Sequence, residues 1–341
     1  MGRVTLRIVG AGLQTTVQDL GRRGHQHDGV PGGGAMDRSA LRIGNALIGN
    51  DDGAAGLEAT LLGPGIVFDD PALIALTGGD LDPTVDGQSV PMWRAMHVPS
   101  GATLRFGRPK LGCRTYIAVA GGIDVPLIFG SRSTYLRGRF GGHEGRALRA
   151  GDVLATLDPP SLAQCIAEAL QRGGDGARAG IASWGAGPTL RARYSPEPSV
   201  RLITGAHAEL LAAPSRTKLF SASFNVSASS DRMGYRLEGV ELPLRSPVEL
   251  LSEGVAFGTV QLPPDGMPIV LMADRQTTGG YPRIGEVATV DLPLIAQLKP
   301  GDRLRFRPIS VDEAQQLYLT HEQDLAQARV AIALRHSRGK S

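Results

Sequence analysis

Four stretches of this 341-residue sequence combine polar side chains with glycines in a way that suits the binding of a small molecule. In the last of them, "ADRQTTGGYPRIG", an apolar run at 269–273 gives way to an acid, an arginine, an amide, two hydroxyls and a Gly-Gly pair. Amides and hydroxyls offer both donors and acceptors, and glycine lets a ligand approach the backbone closely. The pattern predicts either a polar hairpin turn or one wall of a site for an amide or ureido group.

The charged residues around this stretch also have a structural interpretation. The dipeptides Asp231-Arg232 and Asp274-Arg275 can each form a local ion pair. Ser252-Glu253 places a possible base beside a hydroxyl, but no histidine completes a triad, so hydrolysis of the Ser-His-Asp type is not supported.

The first stretch, residues 15–37, ends in a glycine triplet followed by a helix start. Backbone N–H groups of a Gly-rich turn that leads into a helix can hold a phosphate or a carboxylate. Alternatively, glycines 32–34 form an ordinary turn and Asp37 caps the helix, and the sequence favours neither interpretation. His25 and His27 have no third ligand at a diagnostic spacing, so we predict a solvated loop and no metal site.

The second and third stretches place polar groups at or beyond strand ends. Asp80 stands at the carboxyl end of the apolar run "ALIALTGG", whereas Asp86-Gly87 is typical of a hairpin turn. Ser131, Arg132 and Ser133 supply two hydroxyls and a guanidinium, a set that suits carboxylate or phosphate recognition. A solvated loop is the commoner explanation for such an arginine-rich stretch.

Most of the elements that must position these residues are β-like. The 46 glycines and 23 prolines, with only 5% aromatic residues, predict many short elements joined by tight turns. Short β-rich runs predict strands at "TLRIVGAG", "GIVFDD", "ALIALTGG", "ATLRFG", "RTYIAVAGG", "SVRLITG", "TVQLP", "PIVLMAD" and "DRLRFRP". Helices are expected at 36–50, at 161–173 and from Ser310 onward, where Ser310-x-x-Glu313 forms a capping-box pattern.

Composition excludes several functional classes. The net charge is only +3 and no basic stripe with interleaved aromatics occurs, so we expect no nucleic-acid partner. The two cysteines, Cys113 and Cys165, form neither a disulfide framework nor a zinc motif. No apolar run approaches a membrane span and the N-terminus lacks an apolar targeting core, so we expect a soluble cytoplasmic protein without membrane contact.

The chain divides into two predicted β domains. The borders are 1–171 for the first domain, 172–188 for a Gly/Ala/Arg-rich linker, 189–310 for the second domain and 311–341 for a helical tail. "VPSGATLRFGRP" at 98–109 is echoed by "LKPGDRLRFRP" at 298–308, and "GVPGGGAMDRSALRIG" at 29–44 faintly by "SASSDRMGYRLEG" at 227–239. These echoes indicate related halves, so the predicted fold is mainly β, with two barrel-like domains and a few flanking helices.

The motifs taken together resemble the family called allophanate hydrolase subunit 2 or biotin-dependent carboxyltransferase domain, subdomains A and B (KipA-like). The resemblance spans nearly the whole chain, because its motifs occur in one order from the N-terminus to the last strand. The residues that carry it are "TVQDLGRRG" (16–24), "GVPGGGAMD" (29–37), "GNALIGN" (44–50), "LEATLLGPG" (57–65), "ALTGGDL" (75–81), "RTYIAVAGGIDVP" (114–126), "GSRST" (130–134), "DRMGYRLEG" (231–239), "SEGVAFGTVQLPPDGMPIVLMADRQTTGGYPRI" (252–284) and "PGDRLRF" (300–306).

This resemblance implies a fold of two cyclophilin-like β-barrel domains and a choice of three activities. The first is that of the C subunit in an ATP-dependent 5-oxoprolinase, which opens 5-oxo-L-proline to L-glutamate with a subunit-1-type (KipI-like) partner and a LamB/YcsF-type partner. The alternatives are a carboxyltransferase component that moves a carboxyl group from carboxybiotin to urea or a related amide, and a non-catalytic regulatory partner of a KipI-like protein. ATP is then expected on the complex, and biotin only under the carboxyltransferase alternative.

The chain is not expected to be a complete biotin enzyme, because it has no biotin carboxylase-like region and no Met-Lys-Met carrier motif. The 5-oxoprolinase component is therefore the first choice. For that reaction, residue type and family motif together imply catalytic roles for Asp274 or Asp80 as the base and for Thr277 and Thr278 as oxyanion donors. The implied substrate-binding residues are Gln276, Gly279, Gly280, Tyr281, Ser131, Arg132, Ser133, Gln18 and Asp37.

Overall fold

The computed structural model describes residues 2–172 and 179–337. Within these ranges the chain forms 21 strands and five α-helices, which confirms the mainly β class with a few flanking helices. The chain forms two compact units, defined here as unit 1 (Met1–Gly21, Asp37–Arg191 and Gln323–Ser341) and unit 2 (Arg22–Met36 and Ala192–Glu322). The units differ from the predicted domain borders in that residues 22–36 group with unit 2.

Unit 1 contains two six-stranded antiparallel sheets, in the orders β11-β1-β4-β9-β6-β7 and β12-β8-β5-β10-β3-β2. Apolar residues of both sheets, such as Leu6, Phe68, Leu76 and Ile117, pack into one buried core. The strands are β1 (Thr5–Gly10), β2 (Gln14–Gln18), β3 (Gly56–Thr60), β4 (Gly65–Phe68), β5 (Ala72–Asp80), β6 (Pro83–Val85), β7 (Gln88–Ser89), β8 (Ala95–Val98), β9 (Thr103–Phe106), β10 (Leu111–Val119), β11 (Val153–Ala155) and β12 (Gly180–Ile181).

Unit 2 contains a closed seven-stranded barrel in the order β13-β20-β17-β18-β15-β14-β21, closed by parallel pairing of β13 with β21. A separate two-stranded ribbon is formed by β16 and β19. The strands are β13 (Ser199–Thr204), β14 (Phe224–Val226), β15 (Gly234–Glu238), β16 (Glu253–Gly254), β17 (Thr259–Gln261), β18 (Ile269–Leu271), β19 (Thr278–Gly279), β20 (Arg283–Val287) and β21 (Arg303–Pro308).

Three of the α-helices occur where the sequence predicts them. They are α1 (Arg38–Leu47), α2 (Ser161–Arg172) and α5 (Val311–Ser337). The capping box that opens α5 is confirmed, because Ser310 N donates to Glu313 Oε2 at 3.0 Å and Glu313 N donates to Ser310 Oγ at 3.2 Å. Two shorter helices, α3 (Ala213–Ser221) and α4 (Leu292–Ala296), were not predicted.

The described part of the connection between the predicted domains includes a short strand. Residues 173–178 of the predicted linker 172–188 lie outside the described residues. Gly180 and Ile181, which follow them, form the edge strand β12 and pair with His97 and Met96 of β8. The described part of the chain contains no helix that is both long and apolar enough to cross a membrane.

Candidate functional site

The stretch from Asp274 to Glu286 begins just after barrel strand β18, crosses the ribbon as β19 and returns to the barrel as β20. In the ribbon, Thr278 pairs with Gly254 and Gly279 pairs with Glu253. The Thr277 carbonyl also accepts a hydrogen bond from Val255 N at 3.1 Å. The Gly-Gly pair therefore belongs to a ribbon strand and its exit, and the stretch is more than a tight two-residue turn.

Asp274 opens this stretch and is fixed by a buried arginine. Its carboxylate accepts hydrogen bonds from Arg232 Nε at 2.8 Å and from Arg232 Nη2 at 3.0 Å, and both side chains are buried. Asp274 N donates to the Arg232 carbonyl at 2.8 Å, so the backbones are joined as well. A bidentate pair of this kind fixes the orientation of the carboxylate.

The predicted local ion pairs Asp231-Arg232 and Asp274-Arg275 are wrong. Asp231 instead accepts hydrogen bonds from the backbone N–H groups of Met233 and Gly234, which is a turn-forming role. Arg232 pairs with Asp274, across 42 positions of sequence. Asp274 lies in a turn after β18 and Arg232 lies in a bend before β15, so the fold and not sequence adjacency decides which side chains meet.

The glycine triplet of the first stretch lies beside Asp274 in unit 2. Gly33 N donates to the Ala273 carbonyl at 3.0 Å, and Arg232 Nη2 donates to the Gly34 carbonyl at 2.6 Å. A Cβ atom on Gly33 would lie 3.1 Å from Arg22 Nη1 and 3.7 Å from Asp274 Oδ1. The triplet is thus held against the barrel, with the Gly33 amide already bonded to protein.

Two glutamine side chains meet where β19 passes over barrel strand β17. Gln276 Nε2 donates to Gln261 Oε1 at 3.4 Å, and Gln261 Nε2 donates to the Tyr281 carbonyl at 3.5 Å. Gly279 lies close to this pair, because a Cβ atom there would overlap Gln261 Nε2 unless the glutamine side chain shifted. Thr278 and Tyr281 are exposed, whereas Gln276, Thr277, Gly279 and Gly280 are half-buried.

A cation and an acid lie on the same side of the barrel wall. Arg275 is buried, and Glu286 is half-buried with both carboxylate oxygens near Thr259 Oγ1, at 3.0 and 2.9 Å. Burial lowers the pKa of the Arg275 guanidinium, against the opposing attraction of Glu286. Burial likewise raises the pKa of Glu286, while the Thr259 hydrogen bond and the charges of Arg283 and Arg275 oppose the rise. We call Thr259, Gln261, Arg275, Gln276 and Glu286 the ribbon site.

The serines of the third stretch lie in unit 1 around one acid. Asp19 accepts hydrogen bonds from Ser131 Oγ at 2.7 Å, from Ser133 Oγ, and from the Arg132 backbone N–H at 2.6 Å. Asp19 N in turn donates to Ser133 Oγ at 3.1 Å. We call Asp19 and residues 131–133 the Asp19 cluster, in which both hydroxyls are engaged and the Arg132 side chain is half-buried.

Gln18 precedes this cluster and is fully buried. Its Nε2 donates to Thr16 Oγ1 at 3.0 Å and to the Thr134 carbonyl at 3.2 Å. Its Oε1 is buried and accepts no hydrogen bond from the described residues. The structure therefore brings Gln18 together with Ser131, Arg132 and Ser133, and leaves one amide acceptor open to a further donor.

The remaining two candidates have local structural contacts in unit 1. Asp37 is the N-cap of α1, because its Oδ1 accepts from Ala40 N at 2.9 Å, and its own N–H donates to the Tyr116 hydroxyl at 2.7 Å. Asp80 ends β5 and accepts a hydrogen bond from Asp82 N at 2.8 Å. For Asp37 this contact is the capping role that was the alternative to ligand binding, and for Asp80 it is a turn contact.

Six residues of these arrangements are not among the candidates predicted from the sequence: Asp19, Arg232, Thr259, Gln261, Arg275 and Glu286. Gln261 and Glu286 lie in short strands, but each strand contains a second polar residue, Thr259 or Arg283, so the pattern does not single them out. For Asp19 and Arg232 the sequence offers no signal beyond their place in a motif. Their partners, Ser131 and Asp274, lie 112 and 42 positions away along the chain. No three His, Cys, Asp or Glu side chains within residues 2–172 and 179–337 are grouped as a metal site would require.

Comparison with known proteins relates the chain to one family. The family model described as "Carboxyltransferase domain, subdomain A and B" matches residues 28–308. The chain is 36% identical over 316 residues to the C subunit of the Haemophilus influenzae 5-oxoprolinase, covering 93% of this chain and 95% of that protein. It is 39% identical over 314 residues to the C subunit of the Escherichia coli 5-oxoprolinase, covering 91% and 93%.

A solved structure shares the fold. The crystal structure of the Kluyveromyces lactis urea carboxylase superimposes with a TM-score of 0.85 at 27% identity. The alignment covers 96% of this chain but only 29% of that one.

Proposed function

Because the chain belongs to the carboxyltransferase domain, subdomain A and B family, we propose that it is the C-subunit component of an ATP-dependent 5-oxoprolinase that converts 5-oxo-L-proline to L-glutamate. The observation that carries this proposal is that the alignments with the 5-oxoprolinase C subunits cover nearly the full length of both chains. The two 5-oxoprolinase C subunits align over 95% and 93% of their own length, whereas the urea carboxylase aligns over 29% of its length.

The reaction has three chemical steps, each of which needs a different kind of group. The γ-phosphoryl group of ATP moves to the lactam oxygen and leaves ADP. Water then adds to the activated carbon, the C–N bond breaks, and the ring nitrogen takes a proton to give an acyl phosphate. A second water releases phosphate and leaves glutamate. The steps require donors for a developing oxyanion, a cation for phosphate or carboxylate, and a proton acceptor.

The chain contributes amide-recognising groups at the ribbon site and in the ribbon stretch beside it. Gln276, Thr277 and Thr278, with the backbone of Gly279 and Gly280, are our candidates for binding the lactam N–C=O group. The half-buried position of the Gln276 side chain and its long 3.4 Å contact with Gln261 support this assignment, because such a contact is easily exchanged for one to a ligand. Tyr281, which is exposed beside them, is the candidate for closing over the ring.

The roles of the acids remain predictions of this proposal. Asp274 is the candidate base in unit 2, where Arg232 sets the direction of its carboxylate. Asp80 and Asp37 are candidates in unit 1, although each already has a turn or capping contact. Gln18 and the Asp19 cluster are the candidates for a second contact with a phosphate or a carboxylate, with Arg132 as the cation.

The test is reconstitution with the partners that this role implies. Co-expression with a LamB/YcsF-type protein and a KipI-like protein, followed by purification of the complex, should give glutamate from 5-oxoproline only when ATP is present. Omission of each of the three proteins in turn is the matched control. A complete and stable complex that forms no glutamate would contradict the proposal.

Carboxyl transfer is the second candidate, favoured by the TM-score of 0.85 to a urea carboxylase. Under this alternative the ribbon site would take the cyclic ureido group of carboxybiotin in place of the lactam. A complex that is inert with 5-oxoproline but moves a carboxyl group from carboxybiotin to urea would establish it.

A further inference from the structure

Arg275 is a buried arginine without a carboxylate partner in the described chain. Its Nε donates to the Val255 carbonyl at 3.3 Å and its Nη1 to the Met272 carbonyl at 3.5 Å. Both distances are longer than the usual N–H···O distance, and both acceptors are neutral. Its Nη2 donates to no described residue, and the side chain is only 7% exposed.

Two other buried arginines of the described chain have acids beside them. Arg232 is paired with Asp274 at 2.8 Å, and Arg114 lies 3.8 Å from a carboxylate oxygen of Glu58. A charge taken out of water without an opposite charge costs several kcal/mol or more, so an arginine that is buried but unpaired is a sign of an anion site. Arg275 therefore has the charge and the free donors for an incoming carboxylate.

The contacts around Arg275 are weak and partly apolar. Its guanidinium lies 5.9 Å from the ring centroid of Phe257, which stabilises a cation but adds no anion. Next along the chain, Gln276 bonds to Gln261 at 3.4 Å, and Gln261 bonds to the Tyr281 carbonyl at 3.5 Å. These long contacts leave both amides able to bond to another N–C=O group.

We propose that Arg275 binds the carboxylate of a ligand whose ring contains an N–C=O group, and that Gln261 and Gln276 bind the N–C=O group itself. A planar guanidinium holds a carboxylate through two parallel hydrogen bonds, here from Nη1 and Nη2, and a primary amide both donates to a C=O and accepts from an N–H. The assignment rests on the proposed function, in which 5-oxoproline has this combination of groups. N-carboxybiotin, a cyclic urea with a carboxylate on nitrogen, has it as well.

Glu286 is the acidic residue of the ribbon site. It attracts Arg275 but forms no ion pair with it, and its two carboxylate oxygens lie 3.0 and 2.9 Å from Thr259 Oγ1. In its ionised form Glu286 would repel a ligand carboxylate bound to Arg275. Removal of the Glu286 charge should therefore strengthen carboxylate binding, whereas removal of the Arg275 charge should weaken it.

The test compares how the reconstituted complex binds a carboxylic acid and the corresponding uncharged amide. The probes are 5-oxo-L-proline and 5-oxo-L-prolinamide, which keeps the ring and lactam but lacks the carboxylate. We expect Arg275→Gln to raise the KM for 5-oxoproline about 100-fold, the loss of one bidentate charge-assisted contact. The inhibition constant of the amide should change by less than about threefold, since no charge is removed from its contacts.

Three further variants separate recognition from folding. Arg275→Lys keeps the charge and should retain part of the preference for the acid over the amide. Glu286→Gln should lower the KM for 5-oxoproline. Arg236→Gln, which removes an exposed arginine from β15 of the same unit, should change neither constant. If Arg275 only braces the Val255 and Met272 carbonyls, Arg275→Gln will lower the melting temperature but leave the acid-to-amide ratio unchanged, which would overturn the proposal.

The inference can be tested even if the complex forms no glutamate. Calorimetric titration of the complex then uses 5-oxoproline and N-carboxyimidazolidone, a cyclic urea with a carboxylate on nitrogen. The carboxylate site is supported if the wild-type complex binds either probe and the Arg275→Gln complex does not. The probe that binds identifies whether the ligand is a lactam acid or an N-carboxylated cyclic urea. Failure of both probes to bind a folded wild-type complex contradicts it.

Discussion

At the scale of single residues, the pair of Arg232 and Asp274 is the most constrained feature of the barrel unit. Both side chains are buried, two hydrogen bonds join them, and Arg232 also donates to the Gly34 carbonyl at 2.6 Å. The pair therefore joins the glycine triplet, the start of β15 and the start of the ribbon stretch. A structural role and a catalytic role for Asp274 predict different results on substitution.

We expect Asp274→Asn to lower the free energy of unfolding by about 3–5 kcal/mol, because it leaves the buried Arg232 charge without its partner. Arg232→Met should cost a similar amount, and the double variant Arg232→Met with Asp274→Leu should recover much of the loss. The measurement is urea unfolding followed by circular dichroism. Glu253→Gln, which breaks the more exposed pair with Arg283, is the matched control and should cost less than about 1 kcal/mol.

The same variants decide whether Asp274 takes part in proton transfer. A loss of turnover in Asp274→Asn that exceeds the fraction of unfolded protein, and that persists at low temperature, supports Asp274 as the base. Turnover proportional to the folded fraction assigns it to positioning alone.

The feature of the site that the sequence predicts least well is which polar side chains form hydrogen bonds with each other. The residue types of the last stretch predict either a hairpin turn or an amide-binding wall, and the only partner that they suggest for Asp274 is its neighbour Arg275. The true partner is Arg232, and the hub of the serine stretch is Asp19, more than a hundred positions from Ser131. Such pairs depend on which strands become neighbours, and single-sequence periodicity carries no information about that.

At the scale of elements, helix α1 shows that tertiary packing can override the helix propensity of a single residue. Gly44 lies in the interior of the helix, where alanine is normally favoured by about 1 kcal/mol. A Cβ atom at Gly44 would lie 2.9 Å from Thr77 Oγ1 of β5 and 3.3 Å from Ala118 Cβ of β10. The Thr77 hydroxyl also bonds to the Ala40 carbonyl at 2.7 Å, so it is not free to move away.

We therefore expect Gly44→Ala to destabilise the protein by about 1–3 kcal/mol, as overpacking does in well-packed interiors. Combined with Thr77→Ala, which removes the obstructing atoms, the same substitution should cost less than the sum of the two single variants. Thermal unfolding of the four proteins checks this. Additive effects would show that the helix moves away from β5 at no cost.

Elements with strong local signals could be predicted, and those made by tertiary contacts could not. The capping box at Ser310 and the Asp86-Gly87 turn, in which both residues have positive φ, are present. Helix α3, "APSRTKLFS", was missed because it lacks a side-chain N-cap hydrogen bond and a clear apolar periodicity. The faint echo of 29–44 in 227–239 is not structural, because the first segment leads into helix α1 and the second forms strand β15.

At the scale of the whole molecule, the order of residues along the chain does not match the order of the compact units. Residues 22–36 come from the N-terminal part, yet they belong to unit 2, where Met36 is fully buried in the barrel core. The composition-based border near residue 171 could not show this, because the grouping of residues 22–36 with unit 2 depends on tertiary contacts such as the hydrogen bond from Gly33 N to the Ala273 carbonyl. The echo of 98–109 in 298–308 is structural, since Gly101 and Gly301 both have positive φ just before strands β9 and β21.

Two groups in unit 1, His97 and Asp152, make the free energy of unfolding depend on pH, each in its own pH range. Burial lowers the pKa of His97, so the unfolded chain binds its proton first, near pH 6.5, and stability falls as the pH drops below that value. Arg146 holds the pKa of Asp152 at about 2, against 3.8 in its ordinary state. The stability that Asp152 contributes is therefore fully present above about pH 4 and is lost as the pH falls toward 2.

We expect the free energy of unfolding to decline in both ranges, and by about 2 kcal/mol for the pKa shift of Asp152. His97→Gln should flatten the curve between pH 7 and 5 and leave the lower range unchanged, because the glutamine has no proton to gain. Asp152→Asn should lower stability at pH 7 and remove the decline between pH 4 and 2, because Arg146 then loses its charged partner at every pH. Urea unfolding at closely spaced pH values measures both. A wild-type curve that is flat from pH 7 to 5, or an Asp152→Asn curve parallel to wild type below pH 4, would contradict the assignment of that range.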